Sequence, residues 1–130
     1  DTLGELGLFY RLAPLACIGR SFSRDGGGGH NPLEAAQLGC AVLHGPHIQN
    51  LQAIYDEMDS AGAALLIKNE EDLEKRLEKL LQDEEGLAAL QERGLRFARA
   101  KADGFIDVLA ALAPLWEPLL PHQEPRKFSV

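Results

Sequence analysis

Apolar and polar positions along this chain follow two periods in alternation. From Leu3 to Leu12 the apolar residues Leu3, Leu6, Phe9 and Tyr10 form a helical stripe, with Asp1 or Thr2 placed to cap it and Pro14 to end it. Leu15 to Ile18 is a short unbroken apolar run, the mark of a strand buried on both faces. Gly19 to Asn31 reads as a loop containing four consecutive glycines, Gly26 to Gly29. Asn31 then suits an N-cap and Pro32 the first position of a helix to Leu38, which Gly39 ends. Ala41 to Leu43 is a second strand, followed by the turn His44-Gly45-Pro46-His47. Gln49 to Ala61 has helical periodicity through Leu51, Ile54, Tyr55 and Met58, Gly62 stops it, and Ala63 to Ile67 is a third strand. Asn69 opens a helix to about Gln82, with Glu70, Glu71 and Asp72 favourable in its first turn. Two more helices are predicted, Glu84 to Ala102 and Gly104 to Leu112, before a tail punctuated by Pro114, Pro118 and Pro121.

Short apolar strands alternating with helices predict an α/β fold, a Rossmann-like parallel sheet with flanking helices. Three strands are few for such a sheet, and one is expected before Asp1. The chain therefore reads as the second half of a Rossmann-like domain, with residues 1–120 forming a domain fragment and 121–130 a flexible tail. The Glu-, Lys- and Arg-rich stretch from Glu70 to Lys101 is expected to be the solvated face of helices.

At 130 residues the chain fits one modest domain or part of a larger one, and 45% hydrophobic with 25% charged residues is ordinary for a soluble globular protein. A net charge of −7 argues against nucleic acid as a partner. It leaves room for an anion held locally by backbone amides. Cys17 and Cys40 lie in apolar runs without CxxC spacing and are expected to be buried thiols of a reducing compartment. No apolar run approaches the roughly 18 residues that span a bilayer, and no signal peptide is visible. His30, His44, His47 and His122 lack metal-ligand spacing, so neither metal nor cofactor is expected. Ser21 and Ser23 belong to no nucleophile elbow.

The chemistry concentrates in Gly26 to Glu34, GGGGHNPLE. A strand delivers the chain to a glycine-rich loop, which enters a helix whose first turn has unpaired N–H groups and a positive dipole end. Glycines let the backbone approach an anion closely. Glu34, on the first helical turn, is placed to accept hydrogen bonds from two vicinal hydroxyls such as those of a ribose. In open α/β sheets such sites lie beyond the carboxyl ends of the strands. The plainer reading of the same residues is a loose loop with Glu34 complementing the helix dipole. The motif is neither a Walker A loop nor a GxGxxG fingerprint.

Asp1-Thr2-Leu3-Gly4-Glu5-Leu6, Tyr10, Gly29-His30-Asn31-Pro32-Leu33-Glu34-Ala35, Leu38-Gly39, and Gly45-Pro46-His47 with Asn50 together resemble the C-terminal domain of the Kdo (3-deoxy-D-manno-octulosonic acid) transferases of lipopolysaccharide biosynthesis. Order and spacing match from Asp1 to about Ile67. The resemblance implies a GT-B architecture of two Rossmann-like domains facing a cleft. It implies an inverting glycosyltransferase that moves Kdo from CMP-Kdo to a lipid A precursor at the cytoplasmic face of the bacterial inner membrane, without a metal. The donor would bind this C-terminal domain. Catalytic base and acceptor surface would belong to the N-terminal domain, so the fragment would hold no catalytic residue, bind donor or CMP weakly and transfer nothing.

By motif, Glu34 would hold the ribose hydroxyls, and Asn31 with the amides around His30 and Gly29 would meet the phosphate or the Kdo end. Gly4 and Glu5 would line the pocket from the first loop, and Gly19 and Ser21 would form its wall. The chain departs from many relatives at Gly19-Arg20-Ser21, where they have Gly-Gly-Ser; Arg20 is read as an exposed loop arginine. His47 is a candidate cap for the helix carrying Asn50, and Trp116 a docking anchor towards the other domain. Two other readings compete: another GT-B nucleotide-sugar transferase or epimerase, and a non-catalytic interaction module built on the acidic helices and apolar tail. Half a sheet also leaves an unpaired edge, which predicts self-association of the isolated chain as a homo-oligomer.

Overall fold

A computed structural model describes residues 6–25 and 28–116. Three parallel strands, β1 (Leu15–Ile18), β2 (Ala41–His44) and β3 (Ala64–Leu66), form one sheet in the order β1-β2-β3. The register pairs Ile18 with His44, and His44 with Leu66, so the strands' carboxyl ends lie level. Helices α1 (Leu6–Leu12), α2 (Leu33–Gln37), α3 (Gln52–Ser60), α4 (Glu70–Gln82) and α5 (Glu84–Trp116) connect and flank them. The expected α/β architecture and strand positions hold. The predicted start of the first helix, like residues 121–130, lies outside the described residues.

Central β2 is buried along its whole length, as its apolar run requires. Ile18, Val42, Ala64, Ala35, Ala36, Met58 and Ala98 form the core beside it. Small residues let helices approach closely: Gly94 of α5 lies where a Cβ would sit 3.2 Å from the Ala63 carbonyl oxygen. Gln91 and Arg93 of the same helix donate to the Pro14 and Gly62 carbonyls at 2.7 Å each. Cys40 is buried and its thiol donates to the Tyr10 carbonyl at 2.9 Å, tying α1 to the residue that precedes β2.

Four expectations are corrected. Phe9, expected on the buried stripe, is 59% exposed. Cys17 is exposed and not buried, because β1 presents that position outward while Ile18 turns in. The helix expected from Gln49 opens as a 3₁₀ turn, Gln49–Leu51, without a side-chain cap, so His47 does not cap it. The two helices predicted after Glu84 are one, continuous through Gly104. A glycine inside a helix costs only about 1 kcal/mol relative to alanine, too little to force a break.

The chain divides into two compact units at Ala100/Lys101. The second contains the distal part of α5, where Phe105, Ile106, Val108, Leu109 and Leu112 are exposed. Within the first, Asn69 caps α4 by accepting the Asp72 N–H at 2.9 Å, and Asp72 accepts the Lys68 N–H at 3.0 Å in return. That backbone hydrogen bond, helped by Arg76, holds the Asp72 carboxyl below the usual carboxylate range. Asn69→Ala should cost about 1 kcal/mol, read as a lower urea midpoint with unchanged slope.

Candidate functional site

Beyond β1 the chain makes a 3₁₀ turn, Gly19–Phe22, that fastens to the loop after β2. Ser21 is the fastener. It is fully buried, its hydroxyl donates to the Ile18 carbonyl and accepts the Gly45 N–H at 2.6 Å, and its carbonyl accepts the His47 N–H at 2.8 Å. Gly45 lies so close that a Cβ there would meet the Ser21 carbonyl oxygen at 2.5 Å.

The glycine-rich loop lies against the segment after β2 in the same way. Gly28 has a φ of 63°, and a Cβ on it would run into the Asn50 carboxamide. A Cβ on Gly29 would sit 3.1 Å from the Tyr55 hydroxyl. Asn50 Nδ2 donates to the Gly29 carbonyl at 3.0 Å, and the Tyr55 hydroxyl to the His30 carbonyl at 2.6 Å. These two glycines therefore make room for the protein's own side chains.

Tyr55 is buried, which pushes its phenol pKa up and keeps it a hydrogen-bond donor. Its ring lies 4.5 Å from that of His44, tilted by 47°. His44, also buried, is bracketed by two oxygens: the Gly45 carbonyl is 2.9 Å from Nδ1 and Asp59 Oδ1 is 3.0 Å from Nε2.

A cavity of about 430 Å³ opens beyond the carboxyl end of β1, lined by Tyr10, Cys17, Ile18, Gly19, His30, Asn31 and Glu34. Four residues expected from the sequence thus converge: Gly19, His30, Asn31 and Glu34. The side chain of Asn31 makes a local turn, Oδ1 accepting the Leu33 N–H at 3.0 Å, so the helix begins at Leu33. With only five residues α2 has little dipole, and electrostatic help for an anion falls to the loop amides. Glu34 stands exposed in its first turn, free to bond a ligand.

Two expected residues lie elsewhere. Ser21 and Gly29 are buried outside the lining, where they hold the loops that carry it. Gly4 and Glu5 fall outside the described residues. Arg20 is exposed, as read.

Tyr10 and Cys17 were not foreseen as lining residues. Burial, then the nearby Glu34 carboxylate, pushes the Tyr10 phenol up, so it faces the cavity protonated. Surrounding protein likewise raises the Cys17 thiol. The sequence held no signal for Cys17, since an unbroken apolar run does not tell which face each residue takes.

A larger cavity, about 610 Å³, lies beside Arg24, His47, Lys68 and Glu70, and gathers charges of both signs. Among the described residues no cluster of His, Cys, Asp and Glu could hold a metal ion.

Fold and cavity define an open parallel α/β domain with a cavity at the carboxyl end of a strand. The chain is 34% identical over 119 residues to a 3-deoxy-D-manno-octulosonic acid transferase of Rickettsia typhi, covering 88% of this chain and 25% of that protein. Over 61 residues it is 48% identical to a probable mitochondrial 3-deoxy-D-manno-octulosonic acid transferase of Arabidopsis thaliana, covering 47% of this chain and 13% of that protein. In structure it is similar to the C-terminal CMP-Kdo binding domain of WaaA from Acinetobacter baumannii, with a TM-score of 0.67 and 29% identity over 75% of this chain and 50% of that one. No family-level sequence model matches. The chain belongs to the 3-deoxy-D-manno-octulosonic acid transferases, a family of glycosyltransferases, and corresponds to part of their C-terminal domain. It spans about a quarter of the length of the curated relatives it matches.

Proposed function

We propose that this chain binds the nucleotide sugar CMP-Kdo in the cavity beyond β1, as the donor side of an inverting glycosyltransferase. One observation carries the proposal: Gly19, His30, Asn31 and Glu34 line a single cavity at a strand's carboxyl end, in a chain similar to a domain that binds CMP-Kdo. Glu34 holds the ribose hydroxyls. Asn31 and the amides around His30 take the phosphate or the Kdo carboxylate, and Gly19 gives the ligand backbone access. Ser21 and Gly29 act from behind the lining, and Gly4 and Glu5 join the donor-binding set by the motif they share with the family. In the whole enzyme the lipid A precursor and the catalytic base are supplied outside this chain, at the cytoplasmic face of the inner membrane. Among the described residues no helix is long and apolar enough to cross a membrane.

Titration of the chain with CMP, with UMP as control, tests the proposal. CMP, and not UMP, should shift the amides of Gly19, His30 and Asn31 and slow alkylation of Cys17, which lies in the cavity wall. Cys40, being buried, should stay unreactive with or without ligand. Equal response to both nucleotides would sink the CMP assignment and favour another nucleotide-sugar enzyme. No response to either would favour an interaction module, the reading to which the exposed apolar residues Phe105, Ile106 and Val108 on distal α5 lend support.

A further inference from the structure

The loop that lines the cavity is held by two successive carbonyls. The Gly29 carbonyl accepts from Asn50 Nδ2 at 3.0 Å and the His30 carbonyl from the Tyr55 hydroxyl at 2.6 Å. Both donors come from one segment, the 3₁₀ turn Gln49–Leu51 and the helix α3 that continues it. The described peptide bonds are trans, and in a trans peptide the C=O and N–H of one plane point in opposite directions. Fixing the Gly29 carbonyl fixes the His30 N–H, and fixing the His30 carbonyl fixes the Asn31 N–H. With both carbonyls drawn towards that segment, both N–H groups turn away from it. His30 and Asn31 line the cavity, and none of its lining residues comes from α3. Two adjacent amides turned the same way form a concavity suited to an anion.

The surroundings show how closely the grip is built. Gly28 has no room for a Cβ because Asn50 occupies that space, and a Cβ on Gly29 would press on the Tyr55 hydroxyl at 3.1 Å. The Tyr55 ring is buried against His44, which β2 carries and Asp59 holds in place. The Tyr55 hydroxyl therefore has little freedom, and the His30 peptide plane inherits its orientation.

We propose that Asn50 and Tyr55 are positioning residues of the donor site, which aim the His30 and Asn31 amides at the phosphate of the bound nucleotide by clamping the Gly29 and His30 carbonyls. The inference rests on the donor-binding reading above and adds what orients its anion receptor. Neither residue touches the ligand; each acts through the loop. Preoriented donors bind better than mobile ones because their ordering precedes the ligand. Removing the clamp weakens recognition of the phosphate and leaves recognition of the nucleoside, which depends on Glu34, as it was.

The experiment compares CMP with cytidine, which lacks the phosphate, on the unaltered chain, Tyr55→Phe and Asn50→Ala. The unaltered chain should prefer CMP. Each variant should lose about tenfold in CMP affinity, the effect of poorer hydrogen bonds to one charged group, and keep its cytidine affinity. The CMP-induced shifts of the His30 and Asn31 amide protons should shrink in parallel. A merely structural role would weaken both ligands together, and that result overturns the inference. Asn50→Ala, at an exposed position, provides the decisive comparison should Tyr55→Phe fail to fold. CMP binding that both variants retain overturns the clamp and leaves the donor-binding reading standing; no CMP binding by the unaltered chain overturns both.

Discussion

Glu34→Ala should abolish measurable CMP binding and leave the fold intact. The side chain is exposed on the first turn of α2 and lines the cavity, so the folded chain loses little when it is truncated. A carboxylate accepting two ribose hydroxyls makes two charge-assisted hydrogen bonds, worth about 1.5 kcal/mol each at the low end. Together that is about 3 kcal/mol, or roughly a hundredfold in affinity. For a fragment expected to bind weakly, this places the complex beyond titration. Calorimetry or amide shifts measure the affinity, and a thermal melt checks the fold. A cytidine monophosphate lacking both ribose hydroxyls isolates the interaction, since on the unaltered chain it loses the same two hydrogen bonds and its binding should fall as far as that of CMP to the variant. Unchanged CMP affinity in the variant would remove Glu34 from the site.

The largest effect on stability is expected at Gly45. Alanine there would place its Cβ 2.5 Å from the Ser21 carbonyl oxygen and 2.8 Å from Phe22 Cδ1. The nearest obstacle is backbone, pinned by the Gly45 N–H on the Ser21 hydroxyl and the His47 N–H on the Ser21 carbonyl, so it cannot swing aside. Overpacking of this kind costs about 1–3 kcal/mol, and loosening the two hydrogen bonds adds about 1 kcal/mol each. Against this, alanine gains only about 0.4–1 kcal/mol by restricting the unfolded chain. A net loss near 3 kcal/mol should lower the melting temperature by roughly 15 °C. Gly104→Ala is the control. A Cβ there meets nothing within 4 Å, so helix propensity should raise stability by about 1 kcal/mol. A Gly45→Ala melt within a degree or two of the parent would mean that the Ser21 junction yields without strain.

The two substitutions separate the roles of the site's residues. Glu34 faces the cavity and its loss is read in ligand affinity. Gly45 and Ser21 hold the loops behind it, and changes there are read first in stability. Tyr10 and Cys17 stand with Glu34 on the cavity side. Tyr10 presents a protonated phenol from α1, and Cys17 an alkylation probe that leaves the buried Cys40 silent.

The sequence by itself determined the α/β class, the places of three strands and most helices, and the segment that forms the candidate site. These were legible because their causes are local. An apolar run such as Leu15 to Ile18 favours a strand, Pro14 and Gly62 punctuate, and Asn69 caps the helix that follows it. Gly19, His30, Asn31 and Glu34 could be named in advance because strand, loop and helix succeed one another there without interruption.

Only the tertiary structure decided what Gly28 and Gly29 are for. The side chains that need their missing Cβ atoms, Asn50 and Tyr55, lie some twenty residues further on, and no local pattern reveals them. The Ser21 hydroxyl accepts from Gly45, 24 residues away, a contact that no local pattern reveals. Cys17 could not be told from its apolar neighbours because a short unbroken run hides which face each residue takes. Gly104 looked like a break, yet a single glycine's cost is smaller than the gain from continuing a helix. Local chemistry chose the elements; contacts between residues distant in sequence chose which side chains face the ligand and which hold the loops that meet it.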